Sequence, residues 1–271
     1  MNGGCKVCDS VLHPFGSARV LGRHDVRYYR CHACGFVQTE HPYWLDEAYD
    51  TALIAADVGV AQRNIELAAV TQVVIQQFFR ADERFLDYGG GYGLFVRLMR
   101  DRGFDFRWHD RYAPNLMSRG FDAAADADGF ELGTAFEVLE HLVDPVPDVA
   151  EMLRRGDSLL CTTRILPPTN PKPDEWWYYA LSGGQHVSLF TLDALGRLAA
   201  RFGRRLVSDG VSTHLITTHQ VSEWLFRLLV RRPAIALLNR LRRRQSLVSS
   251  DFQEITGGPL GDRESGIGNR E

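Results

Sequence analysis

The chain has 271 residues, of which 45% are hydrophobic and 24% charged, so it can bury one full core with a small additional module. Its formal net charge is −3, and the protein as a whole therefore lacks the positive field that would gather nucleic acid. The N-terminus has neither a basic start nor an apolar run, and no apolar stretch reaches membrane-spanning length. We expect a cytoplasmic protein.

Four of the cysteines form two pairs, Cys5-x-x-Cys8 and Cys31-x-x-Cys34. In a reducing compartment such pairs bind metal rather than form disulfides. Two such turns supply the four thiolates that Zn²⁺ favours, and a closed set of four leaves no position for a substrate. We predict a structural zinc site in an N-terminal β-ribbon; the alternative is four free structural thiols.

The next segments follow in chain order. Apolar residues spaced by three and four predict a helical link over residues 44–79. Residues 84–88 read as a buried strand, followed by a glycine-rich turn and a helix over 94–102 that ends at Gly103. Residues 105–110 resemble the next strand, and strands are also predicted over 121–124, 132–136 and 158–163.

Alternating strands and helices argue for a parallel, doubly wound sheet. Two β-rich runs, 205–208 and 212–218, are joined by Asp209-Gly210, which is a strong hairpin signal. A parallel sheet that ends in an antiparallel hairpin is typical of the α/β, Rossmann-like, seven-stranded methyltransferase sheet, whereas a nicotinamide-binding fold would end with a parallel strand. The predicted organisation is a zinc ribbon (1–40), a helical linker (41–80), the main domain (81–220), a basic amphipathic helical segment (221–248) and a mobile tail (249–271).

A cofactor site is predicted at the glycine-rich turn. Gly89, Gly91 and Gly93 leave a strand and enter a helix, so backbone amides and a helix N-terminus face a ligand there. Asp110 ends the next strand, where its carboxylate can accept hydrogen bonds from both ribose hydroxyls. The spacing after Asp87 fits D-x-G-x-G-x-G rather than the dinucleotide fingerprint G-x-G-x-x-G.

These residues, with Phe136-Glu137-Val138-Leu139-Glu140-His141, resemble class I S-adenosylmethionine-dependent methyltransferases, especially small-molecule O-methyltransferases of the ubiquinone-biosynthesis type. The resemblance covers about residues 80–220. It implies that the three glycines of the turn pass close to the methionine part of the cofactor, that Asp110 holds the ribose and that Asp87 acts near the methionine amine.

The N-terminal module is similar to the four-cysteine ribbon of sugar methyltransferases from deoxysugar and surface-polysaccharide pathways, and Cys34-Gly35-Phe36-Val37-Gln38 carries this similarity. The stretch between Asp122 and Phe136 is short, so the helix usual there is expected to be reduced. Candidate adenine contacts are Asp126 or Asp128.

The reaction side of the site is predicted from two segments. Glu137, Glu140 and His141 leave a strand as E-x-x-E-H, and His186 precedes a helix start. This set resembles the metal site of small-RNA 3′-terminal 2′-O-methyltransferases and suits Mg²⁺, Mn²⁺, Fe²⁺ or Zn²⁺. Without a metal, His141 or His186 with Glu140 serves as the general base. The alternative is a solvated helix start and a hydrogen-bonded loop histidine.

The loop over residues 165–184 contains four prolines and the aromatic run Trp176, Trp177, Tyr178 and Tyr179. These rings can stack on a sugar or aromatic acceptor, or simply pack the loop down. The leading function is O-methylation of a sugar or related small-molecule hydroxyl. The alternatives are an RNA methyltransferase that uses the zinc ribbon for RNA contact, although nucleic acid is disfavoured by charge, and a non-catalytic scaffold that binds the cofactor.

The segment over residues 221–248 is amphipathic and rich in arginine, and Pro233 interrupts it. Such a stretch can lie on an anionic membrane, or it can pack against the domain or a second subunit. The tail from Ser249 lacks periodicity, and we expect it to be mobile.

Overall fold

The computed structural model describes residues 4–49 and 58–260. Its strands are β1 (Leu12–Val20), β2 (His24–Cys31), β3 (Val37–Thr39), β4 (Arg84–Tyr88), β5 (Asp105–His109), β6 (Leu132–Phe136), β7 (Leu159–Thr162), β8 (Ser188–Leu189), β9 (Arg205–Ser208) and β10 (Thr213–Thr217). Its helices are α1 (Leu45–Ala48), α2 (Val60–Phe78), α3 (Leu94–Asp101), α4 (Pro145–Arg155), α5 (Leu192–Arg201), α6 (Glu223–Leu229), α7 (Arg232–Leu241) and α8 (Val248–Thr256).

The central sheet has the strand order β5-β4-β6-β7-β10-β9. Strands β4, β5, β6 and β7 are parallel, and β10 is antiparallel to both β7 and β9. Asp209 closes the turn between β9 and β10, because its Oδ1 accepts hydrogen bonds from the amides of Val211, Ser212 and Thr213. The predicted Rossmann-like class, with its C-terminal antiparallel hairpin, is confirmed.

The predicted seventh strand is not formed as a strand. Of residues 121–124, only Asp122 pairs with the sheet, in a single parallel bridge to Trp108. The buried guanidinium of Arg155 donates to the carbonyls of Ala124 and Ala127, which holds the turn that directly follows this segment. The expectation of a reduced helix is confirmed, since no helix lies between β5 and β6, a stretch that the structure describes throughout.

Helices cover both faces of the sheet. Helices α2, α3 and α6 share one apolar core with the inner strands, and α4 and α5 share another with the opposite face. Helix α5 begins at Leu192, because Thr191 Oγ1 accepts a 3.0 Å hydrogen bond from the amide of Ala194 and so caps the first turn. No helix of the described residues has the length and apolarity needed to cross a membrane.

The N-terminal segment forms a second sheet with the order β1-β2-β3-β8. Strands β1 and β2 are the expected ribbon, and β3 adds to β2. Strand β8 comes from a distant part of the chain and pairs with β3 through Val37↔Leu189 and Gln38↔Ser188. The cysteine-bearing module is therefore held against the main domain by backbone hydrogen bonds.

The C-terminal segment contains a helix where the sequence predicts a mobile tail. Helix α8 docks through Asp251, which forms a buried ion pair with Arg100 of α3 at 2.7 and 2.9 Å. The prediction is wrong for residues 249–256, because one buried acidic residue fixes a segment that has no apolar periodicity. Residues 261–271 lie outside the described part of the chain.

Candidate active site

The glycine-rich turn connects the carboxyl end of β4 to the start of α3. Gly89, Gly91 and Gly93 all have positive φ, at 71°, 52° and 85°. A side chain would strain the backbone at each position, because this left-handed region favours glycine. The turn therefore brings backbone amides close to the edge where the parallel strands end, as the sequence predicts.

The three glycines have different surroundings. A Cβ on Gly89 would lie 2.7 Å from Val138, and one on Gly93 would lie 2.6 Å from the side chains of Asn115 and Ser118. A Cβ on Gly91 would meet no atom within 4 Å. Gly89 and Gly93 thus permit close packing of the turn, whereas Gly91 faces open space that a ligand can fill.

Asp110 follows β5 and holds the turn. Its Oδ2 accepts a 2.8 Å hydrogen bond from the amide of Gly91, and its Oδ1 accepts from the amides of Tyr112 and Ala113 at 2.7 and 2.8 Å. A carboxylate has about four lone-pair positions and these three amides occupy three of them, so one position on Oδ2 remains for a ribose hydroxyl. The geometry is that of a pre-oriented acceptor at the strand end.

Asp87 is buried at the end of β4, beneath the turn. The hydroxyl of Thr134 donates a 2.6 Å hydrogen bond to its Oδ1. Burial raises the pKa of Asp87 to about 7, and the nearby charge of Asp110 acts in the same direction while the Thr134 bond opposes it. A cationic group beside Asp87 would favour its charged form, which fits the expected methionine ammonium. Thr134 was not anticipated, since only the fold brings β6 beside β4.

A cavity of about 370 Å³ opens beside the turn. It joins the predicted cofactor side to the predicted reaction side, because Gly89, Gly91 and Asp110 line it together with Glu137 and His141. Ligand cavities are typically a few hundred cubic ångströms or larger. Asp126 and Asp128 do not line this cavity, so the expected adenine contact through either is not supported.

Glu137 begins the E-x-x-E-H segment in a strained conformation, with φ at 53°. Thr162 holds it there: the Glu137 amide donates to Thr162 Oγ1 at 3.0 Å, and the Thr162 hydroxyl donates to Glu137 Oε1 at 2.8 Å. Burial, followed by the charge of Glu140, raises the pKa of Glu137 to about 7. Backbone strain of this kind concentrates at functional sites.

Glu140, His141 and His186 converge. One ligand atom from each lies within 4.8 Å of the others, and the two imidazole rings are 5.0 Å apart between centroids. Glu137 lines the cavity but does not belong to this cluster. The structure therefore unites three of the four residues expected to share a site, although His186 lies far along the chain.

Glu140 is fully buried. The Tyr178 hydroxyl donates a 2.6 Å hydrogen bond to Oε1, while Oε2 has no hydrogen-bond partner in the part of the chain that the structure describes. Burial raises the pKa of Glu140 to about 7. An orphaned buried carboxylate oxygen calls for a partner that the protein itself does not supply.

Both histidines of the cluster are held neutral. Burial lowers the pKa of His141 to about 3, and it also lowers the pKa of His186. Nδ1 of His186 lies 2.6 Å from the carbonyl oxygen of Tyr178. Because a carbonyl only accepts, Nδ1 must carry the proton, and Nε2 of neutral His186 keeps a free lone pair.

The aromatic run does not line the cavity. Tyr178 and Tyr179 are buried and pack the loop down, and Trp177 is 72% exposed. Tyr49 and Tyr112 line the cavity instead and stack on each other with ring centroids 4.8 Å apart. The packing alternative thus holds for the two tyrosines of the run. The sequence does not predict the stacking of Tyr49 on Tyr112, because neither tyrosine belongs to a motif.

The four N-terminal cysteines, Cys5, Cys8, Cys31 and Cys34, also converge and form what we call the four-cysteine cluster. Three of their sulfur pairs are 3.5 to 3.6 Å apart. Zinc–sulfur bonds of about 2.3 Å in a tetrahedron place the sulfurs about 3.8 Å apart, so the cluster matches that geometry closely. The contact between Cys5 and Cys34 lowers the pKa of Cys5 and raises the pKa of Cys34, so Cys5 is the first of the two to form the thiolate that zinc binds. Gly35 directly follows the second pair of cysteines and has a φ of 72°, a conformation that glycine adopts readily.

Lys6 connects the four-cysteine cluster to the cavity. This residue lies between two of the cysteines, and its ammonium donates to the carbonyl of Val143 and pairs with Asp144 at 3.4 Å. Val143 and Asp144 both line the cavity. The N-terminal module therefore supports one rim of the candidate active site.

The sheet order, the glycine-rich turn and the acidic residue after β5 define a class I, S-adenosylmethionine-dependent methyltransferase domain. A family model described as "Methyltransferase domain" matches residues 61–209, which is more than half of the chain. The chain belongs to this family. A comparison with curated proteins finds no significant match.

Several solved structures are similar to this chain. TnmH is 21% identical over 64% of this chain and 60% of its own, with a TM-score of 0.47. The neocarzinostatin-biosynthesis O-methyltransferase NcsB1, solved with S-adenosyl-L-homocysteine and 1,4-dihydroxy-2-naphthoic acid, is 16% identical over 64% and 60%, with a TM-score of 0.46. The plantazolicin methyltransferase BpumL, solved with S-adenosyl-L-homocysteine, is 11% identical over 74% and 85%, with a TM-score of 0.46. This chain thus spans about 60% of the first two.

Proposed function

We propose that the protein transfers the methyl group of S-adenosylmethionine to a hydroxyl of a sugar or a related small molecule. The observation that carries the proposal is the cluster of Glu140, His141 and His186, because its member His141 lines the same cavity as the glycine-rich turn. In the transfer, the sulfur–methyl bond breaks and an oxygen–methyl bond forms, while the hydroxyl proton leaves to a base. Neutral imidazoles beside the cavity supply that base.

His186 is the best-oriented proton acceptor. Its Nδ1–H donates a hydrogen bond to the Tyr178 carbonyl. In the neutral ring the proton is therefore on Nδ1, and the lone pair of Nε2 is free to accept a proton at neutral pH. The lowered pKa of His186 keeps the ring neutral and ready to accept a proton. His141 lines the cavity and is neutral for the same reason, which makes it the second candidate.

A divalent metal is the other route to the same chemistry. A carboxylate and two imidazoles suit Zn²⁺, Fe²⁺ or Mn²⁺. Oε2 of Glu140 is buried and has no hydrogen-bond partner among the described residues, so it would be available to coordinate such an ion. When bound, such an ion supplies Lewis acidity toward the acceptor oxygen. Glu140, His141 and His186 would hold it, and Glu137 would remain at the cavity wall as a carboxylate anchored by Thr162.

The polar wall of the cavity favours a hydroxyl-rich acceptor. Asp144, Asp148 and Gln185 line it and offer hydrogen-bond partners for several hydroxyls. The stacked rings of Tyr49 and Tyr112 add a flat apolar surface of the kind that packs on sugar rings. An RNA acceptor has less support, because Lys6 of the N-terminal module points to Asp144 rather than to solvent.

We also propose that the four-cysteine cluster holds one structural Zn²⁺. The support is the spacing of the four sulfurs and the closed donor set, which leaves no open position for a substrate. Through Lys6, an intact cluster would keep the cavity rim in place.

The test is methyl transfer from labelled cofactor to a panel of nucleotide sugars, glycans, small phenols and RNA. His186→Asn should lower kcat on the order of a hundredfold, as removal of a general base does. His24→Asn is the matched control, because His24 is partly buried and pairs with Glu47 away from the cavity. Transfer to RNA alone, or full activity of the His186 variant, would contradict the proposal.

Activity with EDTA, followed by addition of Mg²⁺, Mn²⁺ or Zn²⁺, separates the two routes. Loss and recovery of activity supports the metal route through Glu140, His141 and His186. Unchanged activity leaves the imidazoles as bases, and then the pH profile of kcat should follow the ionisation of a histidine.

A further inference from the structure

Positive charge is concentrated in one segment of the protein. Residues 224–250 contain seven arginines and no acidic residue, whereas the rest of the chain has 24 basic and 34 acidic residues. This segment covers most of α6, all of α7 and the start of α8. A strongly basic region therefore lies on an otherwise acidic protein.

The same two helices expose large apolar side chains. On α6, Trp224 is 73% exposed and Leu228, one turn later, 41%. On α7, Leu237 is 58% exposed and Leu241, again one turn later, 69%. Single exposed apolar residues are ordinary, but two adjacent helices that each present an apolar pair are not.

Both helices pack on α2 by their other sides. Phe226 and Leu229 of α6 are buried, and the Asn239 side chain of α7 donates to the carbonyl of Ala69 at 3.0 Å. The side chain of Gln76 also donates to the carbonyl of Arg242, at 2.8 Å. The exposed apolar pairs therefore point away from the central sheet.

The arginines lie beside these apolar pairs. At 100° per residue, Arg227 falls on the side of α6 that carries Trp224, and Arg240 falls on the side of α7 that carries Leu237 and Leu241. Arg231 lies in the short link between the two helices. Within the described ranges, Arg231, Arg240, Arg242 and Arg243 have no ion pair with a carboxylate. We call these exposed sides of α6 and α7, with Arg242 and Arg243, the basic face.

A shallow cleft of about 460 Å³ borders the basic face. Four guanidinium groups line it, together with two amide side chains and one acidic residue: Arg102, Arg240, Arg243, Arg244, Gln72, Asn239 and Asp101. Asp101 is already paired with Arg97. Arg102 donates to Gln72 and Arg244 pairs with Asp82, so Arg240 and Arg243 are the guanidinium groups of the cleft that suit a phosphate group.

We propose that the basic face docks on the surface of an anionic lipid bilayer. Trp224, Leu228, Leu237 and Leu241 would enter the boundary between head groups and acyl chains, and the arginines would contact lipid phosphates. Nucleic acid would satisfy the arginines but would leave the leucines in water, so the combination favours lipid. This inference does not depend on which acceptor is methylated.

The test is co-sedimentation of the full chain with vesicles of phosphatidylcholine alone and of phosphatidylcholine mixed with phosphatidylglycerol. We expect binding to the anionic vesicles at low salt, weakened at high salt because the arginines act through screened charges. Each arginine near an anionic surface contributes binding worth several-fold in affinity. Arg240→Gln with Arg243→Gln should therefore weaken binding on the order of tenfold or more.

The apolar part is tested by Leu237→Gln with Leu241→Gln, which keeps every charge and should also release the protein from vesicles. The matched controls are Arg19→Gln with Arg119→Gln for charge and Val211→Gln for an exposed apolar residue elsewhere. Thermal unfolding and binding of S-adenosylhomocysteine should be unchanged in all variants, which separates docking from folding and from the methyl-transfer site.

Three outcomes would overturn the proposal. The wild type could ignore anionic vesicles at low salt, or bind neutral and anionic vesicles equally. Alternatively, the arginine variant could lose binding to a single-stranded RNA while the wild type binds no vesicles, which would assign the face to nucleic acid instead.

Discussion

Tyr178 contacts two members of the candidate cluster at once: its hydroxyl donates to Oε1 of Glu140, and its carbonyl lies on Nδ1 of His186, both at 2.6 Å. The backbone contact fixes the tautomer of the imidazole, and the hydroxyl fixes the carboxylate. Tyr178 of the aromatic loop thus links Glu140, which follows β6, to His186, which precedes β8. Tyr178 is a positioning residue in this arrangement, since it does not line the cavity.

Removing the Tyr178 hydroxyl should impair methyl transfer without affecting cofactor binding. A hydrogen bond to a charged group contributes about 1.5–3 kcal/mol, so Tyr178→Phe should lower kcat by about ten- to a hundredfold. Tyr179→Phe is the matched control, because its hydroxyl donates only to the carbonyl of Pro171. A shift in the pH profile of kcat for Tyr178→Phe alone would mark positioning; equal losses in both variants would indicate loop damage instead.

A side chain at Gly91 should occupy the space proposed for the cofactor. Gly91→Ala places a methyl group where no protein atom lies within 4 Å, so affinity for S-adenosylhomocysteine should fall at least tenfold. Alanine at this positive φ also costs about 1–2 kcal/mol of stability. Gly129→Ala has the same strain and equally open surroundings outside the cavity, and calorimetry should show its affinity unchanged. Equal affinity in both variants would reject the assignment.

Cofactor affinity should depend on pH through Asp87. The pKa of this carboxyl is raised to about 7 by burial, while its unfolded value is near 4, so the folded protein holds the proton over this range. The ammonium of the cofactor needs the ionised form, and affinity should fall by up to about tenfold per pH unit below pH 7.

The raised pKa of Asp87 also determines whether the protein gains or loses stability as the pH rises. The contribution of Asp87 to the free energy of unfolding is full below about pH 4 and is lost as the pH rises through 7. Asp87→Asn should remove both pH dependences. Calorimetric titrations with S-adenosylhomocysteine at several pH values check the first, and thermal unfolding checks the second; a pH-independent wild type would refute the assignment.

The sequence was most informative where a function depends on local spacing. The glycine turn, Asp110 and the hairpin at Asp209 are each encoded within a few residues, and each lies where it was expected. The predicted strand at 121–124 is reduced to one bridge for a non-local reason, since Arg155 of α4 donates to the carbonyls of Ala124 and Ala127 and holds the chain in the turn that follows.

Contacts between distant segments explain the rest of the candidate site. Thr134 and Thr162 became visible only when the sheet placed them beside Asp87 and Glu137. The motif suggested that Glu137 would join the cluster, but its left-handed backbone turns the side chain to Thr162. Spacing along a presumed helix could not anticipate that strain.

Loss of the four-cysteine cluster should loosen the N-terminal sheet. We expect one equivalent of zinc per chain, and Cys8→Ser should abolish it and lower Tm, because metal-binding energy is folding energy in such modules. Cys161→Ala is the control: Cys161 is buried in β7 and lies outside the cluster. Elemental analysis of protein purified without chelators measures the zinc, and equal zinc in both variants would contradict the site.

The buried ion pair between Arg100 and Asp251 should determine whether α8 stays docked. The two side chains meet through two hydrogen bonds, and the Arg100 guanidinium also lies 3.7 Å from the ring centroid of Phe121. Asp105 also pairs with Arg100, so the guanidinium keeps one carboxylate partner when Asp251 is neutralised. A lost hydrogen bond to a charged group costs about 1.5–3 kcal/mol, and Asp251→Asn should lower the free energy of unfolding by about that amount.

The matched control is Asp193→Asn, which breaks the exposed pair with Arg197 one helical turn away. Solvent screens such an exposed pair, so this variant should unfold nearly like the wild type. Urea unfolding measures both, and hydrogen exchange of the amides in 248–256 reports the release of α8 directly. If Asp251→Asn and Asp193→Asn were equally mild, the buried pair would not hold the helix. Docking would then rest on Ile255, whose side chain lies near Gly120 although it is mostly exposed.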